Sequence, residues 1–223
     1  MRRPIIGVLG GLGPETTATF YLDIVRAATV TERPPLCIWS IPLSLALEAE
    51  FIASGQHRAY LLAQLVDGVL RLERSGATRI VIPCNTVHEF HHELSVRTRV
   101  PVANLIELVA GEVRRRGWSE VFLLATSRTI ATGLYQQALS SSHIAIRTPC
   151  AADQQQLDAL IMGILGDRMN REHQRFLRRL IERAGTPNII LGCTDLQLLS
   201  PRAEHIIDST AVLVDHVAEM VRR

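Results

Sequence analysis

The feature that most constrains this chain is that it repeats itself. Leu72-Glu73-Arg74-Ser75-Gly76-Ala77-Thr78-Arg79-Ile80-Val81-Ile82-Pro83-Cys84 aligns without gaps to Ile181-Glu182-Arg183-Ala184-Gly185-Thr186-Pro187-Asn188-Ile189-Ile190-Leu191-Gly192-Cys193. The two cysteines stand 109 positions apart in 223 residues, about half the chain. Each copy reads as a helix end, a glycine turn, a buried strand and a cysteine just beyond it. A weaker correspondence, at an offset of 114, sets Ile6-Gly7-Val8-Leu9 against Glu120-Val121-Phe122-Leu123 and Tyr21 against Tyr135. Such a chain is expected to fold as two similar halves.

Periodicity says what each half is. Short apolar runs at Ile5–Leu9, Leu36–Ile41, Arg79–Ile82, Val100–Ala103, Glu120–Leu124, Ile144–Arg147, Asn188–Leu191 and His205–Ile207 read as strands. Between them lie helical patterns at Glu15–Val30, Gln56–Ser75, Thr86–Ser95, Leu105–Arg116, Thr129–Ser141, Asp153–Leu165, Met169–Ala184 and Thr210–Val221. Strands separated by helices of this length imply parallel sheets flanked by helices. The expected fold is therefore α/β, with two pseudo-symmetric subdomains and the active site in the cleft between them. The first lobe is expected at 1–103 with 208–223 returned to it and carries Cys84; the second, 104–207, carries Cys193. Ligands of open α/β sheets sit beyond the carboxyl ends of the strands, so two facing halves would put both cysteines in one cleft.

A cysteine after a strand and before a helix has backbone N–H groups and the positive end of the helix dipole beside it, which lowers a thiol pKa. Asn85 and Thr86 in one half, and Thr194 and Asp195 in the other, are capping residue types for the helix that follows. Two such thiols on opposite faces of a substrate carbon can act as acid and base in turn and invert the centre. Cys37, inside an apolar strand, and Cys150, which has no match in the other half, read as structural.

Composition removes other chemistries. All 24 basic residues are arginine. Without lysine there is no Schiff base for pyridoxal phosphate and no P-loop. A net charge of +2 with scattered arginines leaves no footprint for nucleic acid. No stretch reaches the roughly 20 apolar residues of a membrane helix. The run after Met1-Arg2-Arg3 is broken by glycines and reads as a first strand, not an export signal. Four widely spaced cysteines fit reduced thiols and a cytoplasmic address.

Three motifs together resemble the aspartate/glutamate racemase family: Gly10-Gly11-Leu12-Gly13-Pro14-Glu15-Thr16-Thr17, Pro83-Cys84-Asn85-Thr86-Val87-His88 and Leu191-Gly192-Cys193-Thr194-Asp195-Leu196. Ala125-Thr126 through Thr129 and Gly133-Leu134-Tyr135 resemble the family's middle segment. The resemblance implies a homodimer, no cofactor, and racemisation of an amino acid by Cys84 and Cys193. It places the substrate against Gly11, Leu12, Asn85, Thr86, Thr126 and Thr194. There are departures. The aspartate-specific Ile-Pro-Asp-Arg segment reads Ile41-Pro42-Leu43-Ser44 here, and a second-half lysine is missing, its nearest equivalent being Gln156. Ser44 and Gln156 are the neutral donors left for the substrate side chain, beside Leu43, Leu45 and Leu47. That points to a broadened preference toward neutral polar or apolar amino acids, unless an arginine such as Arg58 reaches in.

Rival readings remain open on the residues alone. His88-Glu89-Phe90-His91-His92 is a literal H-E-x-x-H, the zinc-protease spacing, but it has no third ligand at a suitable distance; no metal is expected. The glycines of 7–13 miss the dinucleotide spacing, with Thr16 where the third glycine would stand. Arg114-Arg115-Arg116 reads as surface charge at a helix end. A carbanion-handling isomerase or decarboxylase could use the same frame, as could a homologue that binds an amino acid without turning it over.

Overall fold

The first strand, β1 (Ile6–Gly10), is buried along its whole length, as a central parallel strand must be. It ends in glycines whose backbone lets the chain turn sharply. Gly11 and Gly13 both take positive φ (85° and 83°) before α1 (Pro14–Ala27) starts on a proline, the residue best suited to a first helical position. The description covers residues 3–27, 33–166, 168, 170–199 and 203–222 of this computed structural model. The expected helix end at 28–30 and the start at Met169 lie outside them.

β2 (Leu36–Ser40) and β3 (Arg79–Val81) flank β1, all parallel, in the order β2-β1-β3. Between β2 and β3 come α2 (Leu45–Ser54) and α3 (Arg58–Arg74). After β3 the chain makes a 3-10 turn at Thr86–Phe90, then α4 (His91–Ser95) and α5 (Leu105–Arg115). The second sheet has β4 (Glu120–Leu124), β5 (Ala145–Arg147), β6 (Ile189–Leu191) and β7 (Ile206–Asp208), parallel in the order β5-β4-β6-β7. Its helices are α6 (Ser127–Ala131), α7 (Leu134–Ser140), α8 (Ala151–Leu165) and α9 (Arg171–Glu182), with a 3-10 turn at Thr194–Leu198 and α10 (Ser209–Arg222) closing the chain.

The duplication is visible in the register. Gly7 pairs with Ile80, and Phe122 with Ile189, so the gapless repeat at β3 and β6 carries over into their neighbours. That register shifts the weaker correspondence by one residue. Ile6 matches Val121 rather than Glu120, and Phe20, not Tyr21, matches Tyr135. Phe20 and Tyr135 are both fully buried, whereas Tyr21 is exposed. The period-2 alternation of a strand makes a one-residue slip reverse every face, and burial decides the matter.

Three apolar clusters result. One lies under α3 against the first sheet and includes Leu9, Leu65, Val69 and Ile80. Another lies under α8 and α9 against the second, with Phe122, Leu124, Leu157 and Leu177. The third is shared: Ile6, Val8 and Phe20 meet Val121, Leu123 and Tyr135, with Val109 of α5 and Val217 of α10. Val100–Ala103, expected as a strand, contributes only an isolated bridge from Val102 to Ile80. Among the described residues no helix is long and apolar enough to cross a membrane.

Candidate active site

Cys84 and Cys193 each follow the buried strand of their own sheet, and each feels the charge of the other half of the cleft. Cys84 senses Glu48 and Asp195, and Cys193 senses Asp195 and Cys84. The backbone makes this approach possible at Gly192, where a Cβ would stand 2.7 Å from Leu123, 3.2 Å from Ala125 and 3.2 Å from Tyr135. The two other cysteines lie elsewhere. Cys37 sits on the edge strand β2, its thiol facing the Ser75 carbonyl at 3.8 Å, and Cys150 is exposed before α8.

The side chains after each cysteine are not helix caps. Asn85 donates from Nδ2 to Ser209 Oγ (2.9 Å) and accepts at Oδ1 from the Tyr135 hydroxyl (2.6 Å), tying the first half to α7 and α10. One Nδ2 hydrogen is left over. Thr86 closes a triangle of hydroxyls with Thr126 (3.2 Å) and Thr129 (3.0 Å), themselves 3.0 Å apart. Thr126 does cap α6, accepting from the Thr129 amide. All three threonines are buried. Hydroxyls rotate, so this triangle can turn donors toward a carboxylate. Thr129 was not singled out as a binding residue from sequence; its spacing of three from Thr126 was the available signal. Thr194 is buried beside Cys193, and Leu12 is buried in the core of the first half. Gly11 approaches Ile41 so closely that a Cβ would meet its backbone nitrogen at 2.5 Å.

Asp195 is the anchor of the second half. Its Oδ1 accepts from the Thr16 hydroxyl (2.5 Å), and its Oδ2 stands 3.8 Å from Cys193 Sγ. Burial raises Asp195 to about 6 even though both contacts favour its ionised form. Glu48, on α2, is 8% exposed and is pushed to about 7, first by burial and then by Asp195 and Glu15, with only the Gly13 amide pulling back.

Burial reverses the expectation for the thiols. Burial raises Cys84 to about 12 and holds Cys193 well above its ordinary value, and nearby anions add to both. The backbone amides of Thr86 and Val87 do lower Cys84, but desolvation outweighs them. A 3-10 turn also offers less aligned dipole than the α-helix expected there. Desolvation therefore favours the protonated form of both thiols.

Two expected contacts are spent elsewhere. Ser44 is exposed, and its hydroxyl caps α2 by accepting from the Leu47 amide at 3.3 Å. Gln156 is exposed and lines a groove between α8 and α9 with Glu172 and Arg179, outside the thiol cleft. Gln154, two residues earlier on α8, is the residue facing the second sheet: its Nε2 donates to the Ala125 carbonyl (3.0 Å) and to Asp158 (3.1 Å).

The H-E-x-x-H residues have other partners. His88 Nδ1 lies 2.7 Å from the Cys84 carbonyl, and its Nε2 accepts from the Leu105 amide at 3.0 Å, so Nδ1 carries the proton. Burial depresses His88 to about 4. Glu89 receives Arg128 in a bidentate pair (2.6 and 2.9 Å) and Arg58 at 3.2 Å. His88 and His92 fall in different elements, the 3-10 turn and α4, and among the described residues no group of three or more His, Cys, Asp or Glu side chains could hold a metal ion.

Fold and site define a class: a two-sheet parallel α/β protein with a thiol just beyond a buried strand in each half, both facing Asp195. The chain belongs to the Asp/Glu/Hydantoin racemase family, whose model matches residues 9–217. It is 26% identical over 223 residues to the broad specificity amino-acid racemase RacX of Bacillus subtilis, covering 94% of both chains. Among solved structures it resembles an aspartate racemase homologue from Pyrococcus horikoshii at 25% identity, TM-score 0.79, over 99% of this chain and all of the other. A putative Asp/Glu racemase from Yersinia pestis has the same fold at TM-score 0.82 and 22% identity, covering 99% of this chain and 100% of that one.

Proposed function

We propose that this protein is a cofactor-independent amino-acid racemase in which Cys84 and Cys193 move the α-proton. The observation that carries the reading is a pair of thiols, each just beyond a buried strand of its own sheet and both facing Asp195, in a chain of this family. In this reading the α-carboxylate lies against Thr86, Thr126, Thr129 and the spare Asn85 hydrogen. The ammonium lies toward Asp195 and Glu48, and its charge offsets the anions that hold the thiols protonated. One thiolate removes the α-proton, the carbanion is held between them, and the opposite thiol returns a proton to the other face. The lobes are 1–103 with 208–223, and 104–207; the working unit is a cytoplasmic homodimer.

The test is racemisation followed by chiral chromatography across all proteinogenic amino acids, with dialysed, chelator-treated protein. Wild type should racemise. Cys84→Ala and Cys193→Ala should each lose about 10²–10⁴-fold or more, the usual cost of removing a positioned acid–base group. Either single variant turning over at the wild-type rate would overturn the two-thiol reading. Solvent deuterium entering Cα without inversion would instead indicate one-sided exchange.

A further inference from the structure

Asn85 is the polar residue next to Cys84, and both ends of its side-chain amide are held by the other half of the molecule. The Tyr135 hydroxyl donates to Oδ1 at 2.6 Å, and Nδ2 donates to Ser209 Oγ at 2.9 Å. All three residues are at most 1% exposed, and this is the bond the Tyr135 hydroxyl makes among the described residues. A carboxamide can be turned over in place, which exchanges its oxygen and nitrogen. With the oxygen held at Tyr135 and one hydrogen at Ser209, the remaining Nδ2 hydrogen has a single direction.

The duplication supplies a comparison within the same chain. Phe20 matches Tyr135, and Thr194 matches Asn85. Ile80 bridges to Val102 as Ile189 pairs with Ile206, so Leu105, which opens α5, matches Ser209, which opens α10. The residues before them agree: Asn104 accepts from the Ile106 and Glu107 amides, and Asp208 from the Thr210 amide. The matching set of Phe20, Leu105 and Thr194 thus lacks the phenol, the serine hydroxyl and the amide together. A threonine hydroxyl rotates freely and has no amide end to set. Orienting groups stand where there is an amide to orient, and apolar side chains stand where there is none.

We propose that Tyr135 and Ser209 are positioning residues that set the Asn85 amide so that its free N–H meets the substrate α-carboxylate. This rests on the racemase reading above and adds how that donor is held. A donor fixed in advance binds without first losing its own rotational freedom.

The experiment uses Tyr135→Phe and, as the milder change, Ser209→Ala, with two readouts. The first is hydrogen exchange of the Asn85 side-chain amide, followed by NMR and assigned by its loss in Asn85→Ala. Each variant should speed it at least about tenfold, while the backbone amides of β4 and β6 exchange as in wild type. The second is racemisation of whichever amino acid wild type turns over fastest. KM should rise about tenfold, the worth of one hydrogen bond, with kcat within about threefold of wild type. In an Asn85→Ala background, Tyr135→Phe should change KM by less than about twofold, because the group it positions is gone. An equal rise there would overturn the proposal and leave Tyr135 as packing alone. So would faster amide exchange with KM unchanged in both variants. Unchanged amide exchange would overturn the orientation itself. No racemisation by wild type, with amide exchange still accelerated in the variants, would overturn the racemase reading and leave the hold on Asn85 standing.

Discussion

Phe20 and Tyr135 occupy equivalent places in the two halves, both fully buried in the shared core, and they differ by one hydroxyl. That hydroxyl donates to Asn85 Oδ1 at 2.6 Å, and burial puts its pKa well above the ordinary tyrosine value. A duplicated core position has thus acquired a polar tip that reaches the residue next to a thiol. Tyr135→Phe would leave Asn85 Oδ1 buried and without its donor, since Asn85 is 1% exposed. The loss of stability should be about 1–3 kcal/mol, the usual cost of an orphaned buried acceptor. Urea denaturation measures it, and an unchanged midpoint would mean that Asn85 finds another donor. The match itself was one residue out of register in the sequence, because Tyr21 and Tyr135 are the same letter. Identity of residue type misled where burial did not.

Elements with a clean period were legible, and those serving two neighbours were not. The strands that pair in both sheets lie within a residue or two of their expected bounds. Helix α2 was missed altogether. Its sequence, Leu45-Ala46-Leu47-Glu48-Ala49-Glu50-Phe51-Ile52-Ala53-Ser54, has no single apolar stripe. The reason is that Phe51 is buried in the first half's outer cluster while Ile52 is buried in the second half's. The helix bridges the halves, and a one-faced pattern cannot encode that. Thr86–Ser95 reads as one helix because its residues tolerate one. Its split follows from long-range bonds, Asn85 to Ser209 and His88 to Leu105, that no local pattern shows.

The same bridging region explains the zinc-like motif. Glu89 is 6% exposed in its side chain and receives Arg128 of α6 in two charge-assisted bonds, while the Arg128 guanidinium lies against Gly55 just past α2. A Cβ at Gly55 would meet Arg128 Nη1 at 2.5 Å, and its φ of 74° already favours glycine. This pair joins the turn carrying Thr86 to the helix carrying Thr129. Breaking it should loosen the hydroxyl triangle rather than remove it. Arg128→Ala is expected to raise KM about tenfold with a smaller change in kcat. A Glu89→Ala, Arg128→Ala double-mutant cycle should give a coupling of about 1–3 kcal/mol in stability, within the range seen for directly contacting residues. A coupling near zero would assign Glu89 mainly to Arg58.

At the scale of the molecule, the central cluster draws on both sheets and on α1, α5, α7 and α10, so the halves share a core and should unfold together. Buried ionisable groups in the two halves have folded pKa values that depart from their ordinary ones, and this sets a pH dependence of stability. Glu48 moves from 4.5 to about 7, and Asp195 from 3.8 to about 6. A carboxyl raised on folding binds its proton more tightly in the native state. Its contribution is complete below the unfolded pKa and is lost as pH rises through the folded one, here between about pH 4 and 7. His88, lowered from 6.5 to about 4, runs the opposite way and costs stability as pH falls through the same window. A variant separates the opposing contributions. Glu48→Gln keeps the volume and removes the titration, so its melting temperature should meet that of wild type near pH 5 and exceed it at pH 8. The gain at pH 8 should be about 1–3 kcal/mol, which at this size corresponds to roughly 2–4 °C per kcal/mol. Scanning calorimetry at both pH values measures it. Equal melting temperatures at pH 8 would mean that Glu48 is ionised without penalty, and therefore already paired with a cation in the free protein.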